Sequence, residues 1–280
     1  MWRLWPVNQR ATRHGEDESF AWICYQMTNR SAIDVRQIVR SLQTDGVTLV
    51  ENQLTDDQCQ QALDGIEWGL QNKAGPQPLQ RQRTYEWFRE FPIFVELIEN
   101  PLVIQIADAC LGQEYHLICA EITRNEKDNH YLEAVKKTHQ DHCFFPEQSD
   151  LLTQMQTRMF GFTAQWVVLD IPPEMGPTEF IPGSQRSSQR HTNEIAPSDF
   201  SFRSHFPRGS LVLYDHRVWH RGTDNHSETA RDLPQNCYAL HAVDKVQIMT
   251  TCEDGAEIYV PCSELLESGS DTIRKLLLPV

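Results

Sequence analysis

Hydrophobic positions recur at helical spacing through the first third of the chain and switch to short β-type runs afterwards. The period and the punctuation predict a helix over Ile33–Leu42, ending near Gly46, followed by a short strand, Val47–Val50. Thr55-Asp56-Asp57-Gln58 has the form of a capping box: the threonine hydroxyl accepts from the third helical N–H and the glutamine reaches back. A helix to about Leu70 follows, with Ala62, Ile66 and Leu70 on its apolar face. Residues 72–92 are rich in Gln, Arg and Pro and read as a loop. Asn100-Pro101 opens another helix, with Pro at its first position and Gly112 at its end.

Beyond Gly112 the strand candidates are Tyr115–Thr123, Arg158–Asp170, Thr178–Ile181, Ser210–Asp215 and Asn236–Val243, rich in aromatic and β-branched residues and separated by Pro, Gly, Ser and Asn. Helices first and a β-rich body after them predict an α+β, mainly β protein. Its core is a double-stranded β-helix (a cupin-like jelly roll) with the N-terminal helices packed on one face. The expected division is a single domain over 1–280: an N-terminal arm at 1–30, helical support at 33–112, the jelly-roll core at 115–243 and a C-terminal extension at 244–280. The long polar stretch within 183–208 has the character of a lid or binding loop.

Composition narrows the partners. The 280 residues are 40% hydrophobic and 23% charged, an ordinary globular mixture, and the net charge is −14. Such an acidic surface argues against nucleic acid and anionic membranes, and suits a small neutral or cationic molecule. No apolar segment of signal-peptide or membrane-spanning type stands out. The eight cysteines are scattered with no C-x-x-C pair. They read as reduced thiols of a cytoplasmic protein, without a structural zinc site. Oligomeric state is left open, a homo-oligomer included.

The candidate chemistry begins at His139-Gln140-Asp141. In an extended H-x-D both side chains share a face, so an imidazole and a carboxylate aim at one point. A third ligand is expected from a distant strand, and His220 lies just past the run Gly209–Asp215. Two His and one carboxylate on one face of an octahedron leave three open positions, the geometry of non-haem Fe(II) oxygenases. Arg231 offers a planar fork for the far carboxylate of a dicarboxylate co-substrate, and Thr178 a hydroxyl beside it.

Three separated pieces, in order and spacing, resemble the phytanoyl-CoA dioxygenase family of 2-oxoglutarate oxygenases. They are His139-Gln140-Asp141; Gly176-Pro177-Thr178-Glu179-Phe180-Ile181-Pro182-Gly183-Ser184; and Gly209–Asp215 through His220 to Arg231. The resemblance covers about residues 35–243. It implies Fe(II) on His139, Asp141 and His220, with 2-oxoglutarate on Arg231 and Thr178. It also places a co-substrate contact at Gln165, requires O2, and makes ascorbate a useful supplement in vitro. A carboxylate at 141, where halogenases of the superfamily have Gly or Ala, implies hydroxylation rather than halogenation. Lys136 departs from relatives that carry Gln three residues before the H-x-D.

Phe144 and Trp219 are candidate substrate contacts, although aromatics such as Phe145, Trp166 and Tyr214 more often belong to a core. His116, His191, His205 and His241 read as core or surface residues, and His142, His216 and His226 as non-ligands. A polar or cationic secondary metabolite fits the charge, and tailoring hydroxylases of cyanobacterial alkaloids such as cylindrospermopsin are similar in family and size. The alternatives are an acyl-CoA hydroxylase, which Arg186, Arg190, Arg203 and Arg208 would serve, and a non-catalytic jelly-roll binding protein.

Overall fold

A computed structural model describes residues 34–72, 82–83, 90–127, 139–141, 158–186, 205–243, 249–251, 257–259 and 263–277. The helices start where their capping chemistry says. Asp34 accepts from the Arg36 N–H and opens α1 (Val35–Thr44), which buries Ile38 and Leu42, one turn apart. The capping box forms at α2 (Asp56–Asn72): the Gln58 N–H donates to Thr55 Oγ1 at 3.2 Å, and the Thr55 N–H donates to Gln58 Oε1 at 3.1 Å. A short helix not marked in the sequence, α3 (Ile93–Ile98), precedes α4 (Pro101–Leu111), whose Asn100 cap accepts from Leu102 and Val103.

The strands are β1 (Val47–Val50), β2 (Gln82–Arg83), β3 (Tyr115–Asn125), β4 (Gly161–Trp166), β5 (Glu179–Ile181), β6 (Leu211–Asp215), β7 (Trp219–Arg221) and β8 (Arg231–Leu240). Six of them form one antiparallel sheet in the order β1-β6-β4-β8-β3-β2, and β5 pairs with β7 in a second, smaller sheet. A hairpin, β9 (Met249–Thr251) with β10 (Glu257–Tyr259), and helices α5 (Ser263–Ser268) and α6 (Asp271–Leu277) follow.

Alternation along the strands divides the large sheet into two faces. Leu117, Phe162, Ala164, Trp166, Leu211, Leu213 and Tyr238 join the helices in the main core, together with Leu265, Ile273, Leu276 and Leu277 from α5 and α6. The opposite face carries Val47, Val212, Tyr214 and Leu233, which pack with Phe180 of β5 in a second cluster between the two sheets. Gln165 and Arg231 lie on this inner side. The helices therefore cover the outer face of a two-sheet sandwich, as the sequence predicts.

Three expected boundaries are corrected. The Arg158–Asp170 run is regular only over Gly161–Trp166; past it, single contacts such as the Ile171–Phe206 bridge take over ahead of Pro172 and Pro173. The last strand begins at Arg231, not Asn236. Pro234, which reads as a strand breaker, lies beyond Gln235, the last β8 residue paired with β4, so a missing N–H is tolerated on that open side. His220 does not trail β6 but sits in the middle of its own strand, β7.

Candidate metal centre

The H-x-D segment reaches its place by backbone pairing. His139 and His220 exchange N–H···O bonds of 2.8 and 2.9 Å, which adds the segment to the free side of β7. The Asp141 N–H donates to the His216 carbonyl at 2.8 Å, and Gln140 Nε2 donates to the Arg217 carbonyl at 2.5 Å. The turn that supplies those carbonyls is itself held: buried Asp215 accepts from the Arg217 guanidinium at 2.6 Å. Local order in the 215–218 turn thus fixes two ligands that come from a segment far away in the chain.

The nitrogen and oxygen donors of His139, Asp141 and His220 all lie within 4.8 Å of one another. The imidazole rings of His139 and His220 are 4.3 Å apart between centroids. His220 Nδ1 is 3.0 Å from the Val218 carbonyl, which can only accept, so Nδ1 carries the hydrogen and Nε2 presents a lone pair. That lone pair faces Asp141 Oδ1 at 3.5 Å. Two acceptors pointed at each other in a half-buried site call for a cation between them. Ligand bonds of about 2.1 Å place adjacent donors about 3 Å apart, close to the spacing of His220 Nε2 and Asp141 Oδ1. The donor set is that of a mononuclear iron site.

Aromatic side chains close the inner side. Tyr214 packs 4.9 Å from His220, and Phe180 lies 5.1 Å from Tyr214. Burial, with the Asp141 carboxylate next, pushes the Tyr214 phenol well above its usual range, so the ring remains neutral.

Arg231 opens β8 on the same inner face as Leu233, and it is 3% exposed. Its Nη1 donates to the Gly176 carbonyl, its Nε has no hydrogen-bond partner, and burial pulls its pKa down to about 10. The neighbouring Asp232 turns to the other face, where it binds Arg124 at 2.7 Å. A buried guanidinium without a carboxylate among the described residues is a receptor for one. Thr178 is buried two residues past the Gly176 carbonyl. The turn before it needs glycine: Gly176 has φ +72°, and a Cβ there would meet the Thr223 carbonyl oxygen at 2.5 Å. Thr223 Oγ1 closes the contact by donating to the Pro177 carbonyl at 2.6 Å.

The structure brings together His139, Asp141 and His220, and separately Arg231 with the turn that carries Thr178. Gln165 lies on the inner face between Val212 and Gln235. Its Nε2 donates to Gln235 Oε1 at 3.1 Å, Gln235 Nε2 donates to Glu121 Oε1 at 2.6 Å, and Gln165 Oε1 has no partner. Trp219 flanks His220 on β7, so alternation sends its side chain to the opposite face, away from the triad. Phe144, Phe145, Lys136 and the run 131–138 lie outside the described residues, as do the 1–30 arm and Arg190 and Arg203. Arg208 pairs with Asp56 at 3.4 Å. Sequence reasoning missed Glu121, Gln235 and the backbone carbonyls of Gly176, His216 and Val218. It also missed the work of Ser184, which donates to the Ile181 carbonyl at 2.5 Å and accepts from the Trp219 N–H at 2.8 Å. Only Ser184 carried a signal, as the last residue of the G-P-T…P-G-S motif.

The chain belongs to the phytanoyl-CoA dioxygenase (PhyH) family: the family model matches residues 42–233. Among solved structures it is similar to the epimerase SnoN in complex with Fe3+, alpha ketoglutarate and nogalamycin RO, at 16% identity, TM-score 0.57, and 74% and 84% coverage of the two chains. It is also similar to the carbocyclase SnoK from nogalamycin biosynthesis (18%, 0.54, 74% and 84%). A third is HygX from Streptomyces hygroscopicus with nickel and 2-oxoglutarate bound (16%, 0.58, 75% and 88%). A search of curated proteins returned no match. The expected cofactors, iron and 2-oxoglutarate, agree with the family and with a His-Asp-His cluster able to bind the metal. Among the described residues no helix is long and apolar enough to cross a membrane, and the four described cysteines are thiols rather than disulfides.

Proposed function

We propose that this chain is an Fe(II)- and 2-oxoglutarate-dependent oxygenase that hydroxylates a C–H bond of a small polar or cationic metabolite. The observation that carries the reading is the His220 Nε2 lone pair turned on the Asp141 carboxylate beside His139. A buried guanidinium awaiting an anion lies on the inner side of the same sandwich. His139, Asp141 and His220 would hold the iron, and Arg231 with Thr178 the distal carboxylate of 2-oxoglutarate. When bound, the iron supplies O2 activation coupled to conversion of 2-oxoglutarate into succinate and CO2.

The chain's own residues do the rest. The Val218 carbonyl takes up the His220 Nδ1–H and so turns Nε2 toward the metal position. The His216 carbonyl and the Arg217–Asp215 pair hold the H-x-D segment at ligand distance. Phe180 and Tyr214 exclude water from one side of the centre, which strengthens every charge interaction within it. Arg231 would hold the distal carboxylate of the co-substrate, converting a diffusing dianion into a positioned one.

For the substrate, the inner wall offers an acceptor, Gln165 Oε1, beside the Gln235–Glu121 hydrogen bond. Together with the net charge of −14, it favours a molecule rich in N–H or O–H donors. Epimerisation or ring closure is the second reading, favoured by the reactions in the names of SnoN and SnoK.

The test is succinate release from 2-oxoglutarate by the full chain with Fe(II) and ascorbate, alone and with a panel of cationic metabolites. Iron- and 2-oxoglutarate-dependent succinate that disappears in His220→Ala supports the reading. No succinate, together with no 2-oxoglutarate-induced rise in melting temperature, removes it.

A further inference from the structure

A hydrogen-bonded row on the inner face of the large sheet is not used by the proposed chemistry. His216 Nε2 lies 3.1 Å from Thr163 Oγ1, and Thr163 Oγ1 lies 3.3 Å from Cys237 Sγ. Cys237 in turn faces Cys119 directly across the β8–β3 register and shares a hydrogen bond with it. Directly opposed residues of an antiparallel pair have Cα atoms about 4.5–5.5 Å apart. A disulfide requires about 4.4–6.8 Å. The backbone therefore already holds these two thiols at bonding reach. The ladder resumes at this pair after a register shift between Leu117 and Cys119.

The two thiols differ in access. Cys119 is buried at 5% exposure, and Cys237 is partly exposed. One can meet a small oxidant and the other waits behind it. We infer that Cys237 and Cys119 form a reversible redox-modification site, in which a peroxide oxidises Cys237 and Cys119 then closes on it as a disulfide.

The step balances. The Cys237 sulfur attacks one peroxide oxygen; an S–O bond forms, the O–O bond breaks, and water leaves. The Cys119 sulfur then attacks Cys237; the S–S bond forms, the S–O bond breaks, and a second water leaves. Two thiols lose two electrons and two protons, and one hydrogen peroxide becomes two waters.

The surroundings favour this pair over other cysteines. The hydrogen bond from Cys119, set against burial and helped by His216 and Thr163, holds the Cys237 thiol down at about 6. A thiol in that range is largely the nucleophilic thiolate at neutral pH. Burial instead pushes Cys59 up, and Cys110 up to about 12, which leaves both inert.

The test uses the full chain, freed of adventitious iron by a chelator, exposed to graded hydrogen peroxide and quenched with N-ethylmaleimide. Peptide mass spectrometry should find a pair joined through Cys119 and Cys237, lighter by two hydrogen atoms and separated again by dithiothreitol. Cys59 and Cys110 should stay alkylated. In Cys119→Ser, dimedone should trap Cys237 as a sulfenic acid; in Cys237→Ser, no link should form and Cys119 should be alkylated. If either variant fails to fold, the wild-type measurement decides alone, since it needs no substitution. The inference is overturned if Cys119 and Cys237 stay alkylatable at every dose short of unfolding. It is equally overturned if Cys237 pairs with another cysteine or runs to the sulfinic acid with Cys119 present.

Discussion

His220 Nε2 and Asp141 Oδ1 stand 3.5 Å apart, and Nε2 is the ring nitrogen turned to the carboxylate because Nδ1–H is taken up by the Val218 carbonyl. A bound divalent ion would take a bond from each. Fe(II), or Ni(II) as a redox-inert stand-in, should therefore raise the melting temperature; at a hundredfold excess over Kd the gain is about 2.7 kcal/mol. His139→Ala, Asp141→Ala and His220→Ala should each remove the rise while the metal-free chain melts near the wild type. A full metal-induced rise in any one of them would exclude that residue as a ligand.

Arg231 gives a prediction with opposite signs for stability and binding. Burial pulls its pKa down to about 10, so the fold disfavours the charged form. The penalty is fully present below about pH 10 and fades only above it, so it acts across the whole working range. Arg231→Met should therefore melt no lower than the wild type without ligand, yet lose the stabilisation that 2-oxoglutarate gives. A charge-assisted bond is worth about 1.5–3 kcal/mol, so the affinity for 2-oxoglutarate should fall by about one to two decades. Arg231→Lys should fall between the two. Calorimetric titration with Ni(II) present checks this, and an unchanged affinity in Arg231→Met would place the co-substrate elsewhere.

Gly161 leaves room for His216, whose carbonyl holds the Asp141 amide. A Cβ at 161 would stand 2.5 Å from His216 Nδ1 and 2.8 Å from the Tyr238 carbonyl oxygen. Gly161→Ala should thus displace His216 and loosen Asp141, weakening metal affinity about tenfold or more, as expected for a group that positions a ligand. Metal titration followed by fluorescence reads this directly, and wild-type affinity in a folded variant would refute the coupling.

Ser184 ties the two strands of the small sheet at the position next to His220. Ser184→Ala leaves the buried Trp219 N–H without its acceptor, a loss of about 1–3 kcal/mol. The melting temperature should fall, and metal affinity with it, because β7 carries a ligand. A variant that melts as the wild type does would show that the Oγ contact is not needed to hold β7.

Much of this was legible before any coordinates. The capping box at Thr55–Gln58, the Asn100-Pro101 helix start and the β1 and β6 runs were readable because each depends on neighbours a few residues away. The triad was readable because H-x-D makes a two-pronged ligand wherever it is extended. The Arg231 strand was only half readable. Pro234 breaks the local pattern, and its tolerance comes from the β4–β8 pairing stopping at Gln165–Gln235, which is a fact about another strand.

By itself the sequence determined the helix-then-strand order and offered the three candidate ligands and the candidate arginine, since these rest on side-chain chemistry and short-range periodicity. Tertiary structure alone decided which atoms meet. The Val218 carbonyl that sets the His220 tautomer, the Gly176 carbonyl under Arg231, the Gln165–Gln235–Glu121 row and the Cys119–Cys237 pair all depend on strand register. Register places residues far apart in the chain side by side, and no local pattern encodes it. It also turned Trp219 away from the triad while keeping His220 in it, because adjacent residues of a strand face opposite sides.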